Sequence, residues 1–267
     1  MEEFIMQQRE QLWLGSFPAL TEAGFIHGCS SRLHGQSRVV ANTLNLALHV
    51  GDDSAKVLTN RCLWAQALGV DPLHFTTCEQ VHGSRVAVVT AADIGRGALA
   101  LADTLPGIDA LVCNIPGVPL LLFFADCVPV LLADRQTGAV GLAHAGWRGT
   151  VAQIAAKTLS RMQREFGTRS EDVLVGIGPS IGACCYEVDD LVRNQASGYE
   201  GFFTPTLPGK YQLDLWGYNR QLLLEAGVPE ENIHIAGVCT NDNVELFCSY
   251  RAEQGKTGRM GVCLCAR

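Results

Sequence analysis

The stretch Val128–Thr150, VPVLLADRQTGAVGLAHAGWRGT, consists of two apolar runs joined by a polar segment and followed by a helical pattern. The five residues DRQTG (134–138) are typical of turns, and the run on each side has the length of a β-strand. This pattern predicts a β-hairpin. Because Cys127 precedes the first strand and His144 ends the second, the hairpin brings them together although they are 17 positions apart in the sequence.

The register of this hairpin determines which face each side chain occupies. With a five-residue turn, Cys127 lies opposite Ala145 and one position out of register with His144. A one-residue bulge, or a turn one residue shorter, would make Cys127 and His144 direct partners on one face. We therefore expect one of these two features if the residues act together. Pro129 marks a strand start or an edge, since proline cannot donate to a ladder.

The rest of the chain shows a mixed α and β pattern in which strands outnumber helices. Strands are predicted over 85–90, 110–113, 118–124, 128–133, 139–142, 173–177 and 233–238, with a last strand after residue 259. Helices are predicted from Ser54 to Gly69, from Thr150 to Gly167 and from Asp214 to Gly227. Residues 204–210, TPTLPGK, are expected to form a surface loop. On the first helix, Asn60 and Arg61 are expected to point away from most of the apolar face.

The composition is that of a globular protein, with 48% hydrophobic and 18% charged residues in a chain of 267. This length suits one domain, 1–267, with a sizeable core. The net charge of -7 and the absence of a basic run argue against a nucleic-acid partner. No apolar run reaches the roughly 20 residues that span a bilayer, and the first residues do not resemble a signal peptide. We therefore expect a cytoplasmic protein with no membrane partner, either a monomer or a small homo-oligomer.

The cysteines do not form a recognisable framework. There are 11 of them, an odd number at irregular spacings with no CxxC pair, which argues against a disulfide scaffold and against a zinc finger. Most are expected to be small buried hydrophobes. The adjacent pair Cys184 and Cys185 is also expected to have a packing role.

Cys127 and His144 allow three interpretations: buried packing, a thiolate nucleophile with its base, or two ligands of a metal. Asp126 lies beside the cysteine, and GWRG (146–149) follows the histidine. This density of polar groups at strand ends favours a functional site, but the residues alone leave the choice between nucleophile and metal ligand open.

A series of motifs along nearly the whole chain resembles the purine nucleoside phosphorylase family, earlier labelled multicopper polyphenol oxidases (laccase-like) or YfiH-like cysteine hydrolases. The motifs are LNLALHVGDD (44–53), NR (60–61), EQVHG (79–83), FADC with VPVLL (124–132), HAGWRGT (144–150), GPSIG with YEV (178–188), and the closing CT, SYR and TGRM. The resemblance implies an α+β fold, a single-domain sandwich of mixed β-sheets flanked by helices.

The resemblance also implies a catalytic zinc held by His82, Cys127 and His144. Three such ligands leave the fourth tetrahedral position open for water, as in catalytic zinc sites. Family members are similar in cleaving purine nucleosides with phosphate to the base and ribose 1-phosphate, and in deaminating adenosine to inosine. The implied partners are therefore a purine nucleoside and phosphate, with adenosine as the leading substrate over inosine, guanosine and methylthioadenosine.

Further candidates follow from the needs of these reactions. Arg148, which lies between two glycines ahead of a helix, is the first candidate for phosphate, and Arg32 and Arg61 are the others. Asp126 is expected to carry a proton or to hold a ribose hydroxyl. Gln80, two residues before His82, is expected to support a metal ligand or to contact substrate.

A few further residues complete the expectations. Asn45 of LNLALHVGDD is counted among the substrate-binding candidates, and Trp147 is expected to pack rather than to stack on a purine. The sequence departs from the family at His34, where related chains commonly have glycine. Tyr250 and Arg251 are expected to belong to the framework.

Three alternatives remain. A copper-type polyphenol oxidase needs several copper centres and therefore many clustered histidines, and the seven histidines here are mostly scattered. A metal-free hydrolase would use Cys127 with His144 as its base. A role in the fidelity of peptidoglycan precursors would require recognition of a nucleotide-linked or muramyl substrate, with or without turnover.

Overall fold

The computed structural model describes residues 3–39 and 43–267. The strands in these ranges are β1 (Ile5–Arg9), β2 (Leu12–Ser16), β3 (His27–Ser30), β4 (Val86–Val88), β5 (Ala110–Cys113), β6 (Pro119–Phe124), β7 (Val128–Asp134), β8 (Val140–Ala145), β9 (Val173–Ile177), β10 (Glu187–Asp189), β11 (Phe203–Leu207), β12 (Lys210–Leu213), β13 (Ile233–Ile235) and β14 (Met260–Cys265). The α-helices are α1 (Pro18–Glu22), α2 (Ser54–Leu68), α3 (Trp147–Val151), α4 (Ile154–Phe166), α5 (Asp190–Arg193) and α6 (Leu215–Glu225). Short 3-10 helices cover Pro72–His74, Ala91–Asp93, Leu101–Asp103, Ser170–Asp172, Glu200–Phe202 and Glu230–Asn232.

Most of the strands belong to two stacked sheets. The five-stranded sheet has the order β1-β2-β3-β14-β6 and is antiparallel throughout. The six-stranded sheet has the order β13-β9-β7-β8-β5-β4, with parallel pairs only at its two edges. A small antiparallel sheet contains β10, β12 and β11. Since α2 covers the first sheet and α4 with α6 covers the second, the predicted sandwich of mixed sheets flanked by helices is confirmed.

The continuous apolar runs of the sequence arise because the central strands are buried on both faces. In β6, Leu120, Leu122 and Phe124 face the core between the sheets, whereas Leu121 and Phe123 pack on the α2 side. All residues of β6, β7 and β8 are buried. These three strands therefore form a rigid base for the residues at their ends.

The register of the β7–β8 hairpin differs from both predicted registers. Ala133 pairs with Val140 and Pro129 pairs with His144, so that the turn is longer than predicted. The buried Asp134 carboxylate accepts from the Gln136 and Thr137 amides, at 2.8 and 3.1 Å, and this holds the longer turn. The expected bulge or shorter turn was therefore wrong. The shift itself puts Cys127, two residues before Pro129, diagonally across from His144 on the same face.

The helices begin and end close to the predicted residues. Asp53 rather than Ser54 caps α2, because its carboxylate accepts from the Ala55 amide at 2.9 Å, and Gly69 ends the helix with a φ of 74°. The helix predicted from Thr150 is instead two helices, α3 and α4, separated at Gln153, whose φ is 60°. Asp214 caps α6. Within the described ranges no helix is both long and apolar enough to cross a membrane.

Two local predictions were wrong. Asn60 and Arg61 are buried at 0% and 3% exposure, because backbone carbonyls of segments packed over α2 accept their N–H groups. Residues 204–210 are not a loop, since they belong to the β11–β12 hairpin. Pro205 is tolerated there because β11 is the edge strand of the small sheet.

Candidate metal centre

His82, Cys127 and His144 converge at one end of the six-stranded sheet. One ligand atom from each side chain lies within 4.8 Å of the other two. His144 comes from β8, Cys127 from the turn between β6 and β7, and His82 from the loop after EQV (79–81). His144 is buried, Cys127 is partly buried and His82 is exposed, so the cluster is open to solvent on the His82 side.

Two unusual backbone conformations shape the loops of this cluster. His82 has a φ of 59° and Asp126 a φ of 82°, both in the left-handed region. Non-glycine residues adopt this region at a cost and only where surrounding contacts hold them. The Asp126 carboxylate provides such contacts, because it accepts from the Thr240 hydroxyl at 2.7 Å and from the Arg251 amide at 2.6 Å.

Asp109 is the residue that orders the centre, and the sequence did not single it out. Its fully buried Oδ1 accepts from the His82 amide at 2.8 Å and faces His144 Nδ1 at 3.0 Å, and its Oδ2 accepts from the Gly83 amide at 2.7 Å. With a proton on Nδ1, His144 donates to this carboxylate and presents its other nitrogen to the cluster. A carboxylate behind a histidine ligand is the usual way in which proteins orient such a ligand.

The electrostatics of the cluster favour a thiolate. Burial acts to raise the pKa of Cys127, but the charges and hydrogen bonds of His144 and His82 outweigh it and lower the pKa to about 6. Burial acts to lower the pKa of His144, but Cys127 and Asp109 outweigh it and raise the pKa to about 9. At pH 7 the metal-free centre therefore contains a thiolate beside an imidazolium.

The donor set is suited to a metal ion. Two imidazole nitrogens and one thiolate are ligands that zinc accepts, and three protein ligands are the number found in catalytic sites. Gly146 makes room for the cluster, since a Cβ at that position would lie 2.9 Å from the Cys127 sulfur. These residues could therefore hold a divalent metal with one coordination position free.

A cavity of about 510 Å³ lies directly over the cluster. Its walls include three arginines, each stacked on an aromatic ring: Arg148 on Trp147 at 4.4 Å, Arg251 on Tyr186 at 5.1 Å and Arg259 on Tyr250 at 5.6 Å. Among the described residues no carboxylate forms an ion pair with these arginines. The cavity is thus positively charged and aromatic at the same time.

Three of the six residues predicted to have a catalytic or substrate-binding role line this cavity, namely Gln80, Asp126 and Arg148. Gln80 Nε2 donates to the Phe123 carbonyl at 2.8 Å, and its Oε1 accepts from the Phe123 amide at 2.8 Å. Gln80 therefore fixes the cavity floor through the end of β6. Arg148 is exposed and lies at the start of α3.

The other three candidates, Arg32, Asn45 and Arg61, do not line this cavity. Arg32 is paired with Glu253 at 2.8 Å, and Arg61 donates to backbone carbonyls and contributes to the wall of an adjoining cavity of about 430 Å³. Asn45 is fully buried and accepts from the Arg259 amide at 2.9 Å. All three hold the surrounding loops, and Asn45 does so directly beneath Arg259.

Several cavity residues were missed or assigned a different role. Tyr250 and Arg251, expected to be framework, line the cavity, although Arg251 also donates to the Glu187 carbonyl at 3.1 Å. Arg259 and Tyr186 were not considered as site residues. Each lies within one of the family motifs, but only the fold brings the motifs TGRM and YEV to the same wall.

The departure from the family pattern at His34 has a backbone explanation. His34 has a φ of 63°, a conformation that glycine adopts without strain. Its side chain is not part of the cavity, whereas His49 is. Burial and the nearby cations Arg259 and Arg61 lower the pKa of His49 to about 4, so this ring is neutral at pH 7.

The amino-acid sequence of the chain matches a known protein family. Residues 26–267 match the family model described as multi-copper polyphenol oxidoreductase laccase, and the chain belongs to this family.

Proteins to which this chain is similar are named purine nucleoside phosphorylase, a name that differs from the description of the family model. YlmD of Geobacillus stearothermophilus, named purine nucleoside phosphorylase, is 41% identical over 263 residues, which cover 96% of this chain and 95% of that protein. Its namesake from Bacillus subtilis is 38% identical over 239 residues, covering 88% of this chain and 86% of that one. The crystal structure of the Geobacillus YlmD has a TM-score of 0.93 at 40% identity and covers 98% of this chain and 99% of that one. The resemblance found in the sequence is therefore confirmed.

Proposed function

We propose that this chain is a zinc-dependent enzyme that cleaves purine nucleosides with phosphate to the free base and ribose 1-phosphate, and that also deaminates adenosine to inosine. The observation that carries the proposal is the convergence of His82, Cys127 and His144 beside a cavity lined by three arginines. The name of the YlmD relatives supports the same reaction class. Adenosine is the leading substrate, with inosine, guanosine and methylthioadenosine in the same class, and residues 1–267 would act as one catalytic domain.

Zinc is preferred to copper for this centre. A bound zinc ion would keep one coordination position open and supply Lewis-acid polarisation there. Within the described part of the chain only one potential metal cluster contains histidine, whereas a multicopper oxidase needs several copper centres. The chain's own contribution is to fix the ligands in advance, through Asp109 behind His144 and through the amide of His82.

Phosphate would bind to the arginines of the cavity wall. The guanidinium carbons of Arg148, Arg251 and Arg259 each lie over an aromatic ring, and a guanidinium group can make bidentate contact with a phosphate. The lack of ion pairs with described carboxylates leaves this positive charge uncompensated. An anion that attacks ribose C1 would be stabilised at this wall.

The purine would occupy the aromatic part of the same cavity. The volume of about 510 Å³ falls within the range of small-molecule sites, roughly 300–1,000 Å³. Trp147, Tyr186 and Tyr250 line the cavity and could contact a purine ring there. Asp126 and the neutral His49 are the groups on the wall that could pass a proton to the purine during deamination.

A second candidate, a metal-free hydrolase, is supported by one specific observation. Cys127, His144 and Asp109 form a chain of thiolate, imidazolium and buried carboxylate that resembles a nucleophile, its base and an orienting acid. In that case His82 would be dispensable and a chelator would have no effect. Cys127 would also be trapped covalently during turnover.

The test is product analysis with purified protein and adenosine, with and without phosphate, by chromatography. We expect adenine only when phosphate is present, and inosine under both conditions. His82→Ala should abolish both products, whereas His74→Ala, on an exposed 3-10 helix, should not change them. No purine product above the His82→Ala background would refute the proposal, and full activity of His82→Ala after treatment with a chelator would favour the hydrolase.

A further inference from the structure

A second group of metal-ligating side chains lies in loops away from the first cluster. The sulfurs of Cys184, Cys185 and Cys239 and a carboxylate oxygen of Asp242 all lie within 4.8 Å of one another. Cys184 and Asp242 are exposed and Cys185 is partly buried, so the expected packing role does not account for the position of the adjacent cysteines. None of these four residues belongs to the cluster of His82, Cys127 and His144.

The adjacent cysteines point in the same direction because they lie in a turn. Neighbouring residues of an extended strand point to opposite faces. Here the Cys185 and Tyr186 amides both donate to the Gly182 carbonyl, at 3.0 and 3.1 Å, which closes a tight turn. As a result the Cys184 sulfur donates to one oxygen of Asp242 at 3.1 Å and the Cys185 sulfur to the other at 2.9 Å.

Backbone contacts hold the third sulfur, that of Cys239, in place. Cys239 is only 6% exposed, and its sulfur accepts from the Gly182 amide at 3.3 Å. Cys239 also forms an isolated bridge with Ser180, and its carbonyl accepts from Asn243 Nδ2 at 2.8 Å. The two loops that carry the four side chains are thus already joined at their base.

We propose that Cys184, Cys185, Cys239 and Asp242 form a structural zinc site. A tetrahedral zinc with a Zn–S distance of about 2.3 Å places neighbouring sulfurs roughly 3.8 Å apart, so the three sulfurs, which lie within 4.8 Å of one another, need to approach by about 1 Å at most. Zinc binding would release the thiol protons to water and would replace the two contacts from sulfur to Asp242 with bonds to the metal. With all four positions occupied by protein ligands, this site has a structural rather than a catalytic role.

Such a site would cross-link two walls of the cavity over the first cluster. Tyr186, next to Cys185, lines that cavity. Thr240, next to Cys239, donates to Asp126 at 2.7 Å. The guanidinium of Arg251 donates to the Cys185 carbonyl at 3.5 Å. The metal would therefore hold Tyr186, Asp126 and Arg251 in a fixed arrangement.

The experiment counts zinc in the reduced, purified chain after equilibration with Zn²⁺ and removal of the excess. The wild type should contain about two equivalents per chain, and both Cys127→Ser and the double variant Cys184→Ser/Cys185→Ser about one. The matched control Cys62→Ser, at an exposed cysteine of α2, should contain as much as the wild type.

A second measurement keeps the test independent of the first cluster and of folding defects. In the Cys127→Ser background, Co²⁺ should give the intense visible spectrum of a tetrahedral, sulfur-rich site, and Zn²⁺ should raise the melting temperature. Asp242→Asn, an exposed and conservative change, should weaken zinc binding at least about tenfold, whereas Asp103→Asn should not. Zinc binding by Cys184→Ser/Cys185→Ser equal to that of the wild type would overturn the proposal. The proposal would also be overturned if the wild-type chain held only about one zinc and Cys184 and Cys185 were joined by a disulfide.

Discussion

Replacing Asp109 with asparagine tests how strongly the buried carboxylate supports the candidate metal centre. The side chain keeps its shape but loses its charge and one acceptor. In one orientation of the asparagine, the amide oxygen keeps the two contacts of Oδ1. The new NH₂ group then replaces Oδ2, which lies 2.7 Å from the Gly83 amide nitrogen in the wild type, so that two donors face each other. In the reverse orientation the NH₂ group faces His144 Nδ1 and the His82 amide instead.

Either orientation leaves at least one buried donor without an acceptor, at a cost of about 1–3 kcal/mol of unfolding free energy. Loss of the group that orients a histidine ligand typically lowers metal affinity about 10–100-fold. We therefore expect zinc affinity to fall by that factor, or about 1.4–2.8 kcal/mol. The affinity is measured by competition with a chromophoric chelator, in a Cys184→Ser/Cys185→Ser background so that only this centre is titrated.

The control is Asp103→Asn, at a side chain that is 65% exposed. It should change neither zinc affinity nor stability, which is measured by urea unfolding of the metal-free protein. A zinc affinity of Asp109→Asn within about twofold of the parent protein would show that Asp109 does not orient the ligands as inferred from its contacts.

Three further predictions concern the same centre and its cavity. Gly146→Ala should weaken zinc binding, because the new Cβ would lie 2.9 Å from the Cys127 sulfur. The control Gly201→Ala, whose Cβ would have no atom within 4 Å, should not. Equal zinc affinities of the two variants in chelator titrations would contradict this prediction. In the metal-free protein, alkylation of Cys127 should rise with pH around a midpoint of about 6, since the thiolate forms above its lowered pKa, and a midpoint near 9 would refute the thiolate. Arg148→Gln should raise the KM for phosphate about tenfold or more and leave phosphate-free deamination largely intact, with the exposed Arg164→Gln as control; an unchanged KM would exclude Arg148 from the phosphate site.

Several strand and helix positions could be predicted because they depend on local patterns, but β1–β3 and β10–β12 were not predicted. Residues 110–113 and 173–177 were predicted with the bounds that β5 and β9 have, since each is a short apolar run bounded by turn residues, as expected for a buried strand. The hairpin register could not be predicted, because it depends on how the Asp134 carboxylate caps the turn. Likewise, nothing local to α2 indicates that Arg61 is covered by the segment around Gly97.

The candidate site was predictable only in part, for a related reason. His82, Cys127 and His144 were found through family motifs, and only the hairpin pair has a local explanation. A single aspartate before an apolar strand, as Asp109 is before β5, has no distinctive pattern, because its role arises from contacts with residues 26–35 positions away. Arg251 and Arg259 reach the cavity through the closing loop, which a linear pattern does not place.

The most direct test of the zinc centre is anomalous diffraction from crystals grown without added metal, with data collected on both sides of the zinc and copper absorption edges. The account predicts a peak present above the zinc edge, absent below it, and about 2.0–2.3 Å from the Cys127 sulfur and from a nitrogen of both His82 and His144. A peak that follows the copper edge, or no peak between these three side chains in active protein, would contradict it.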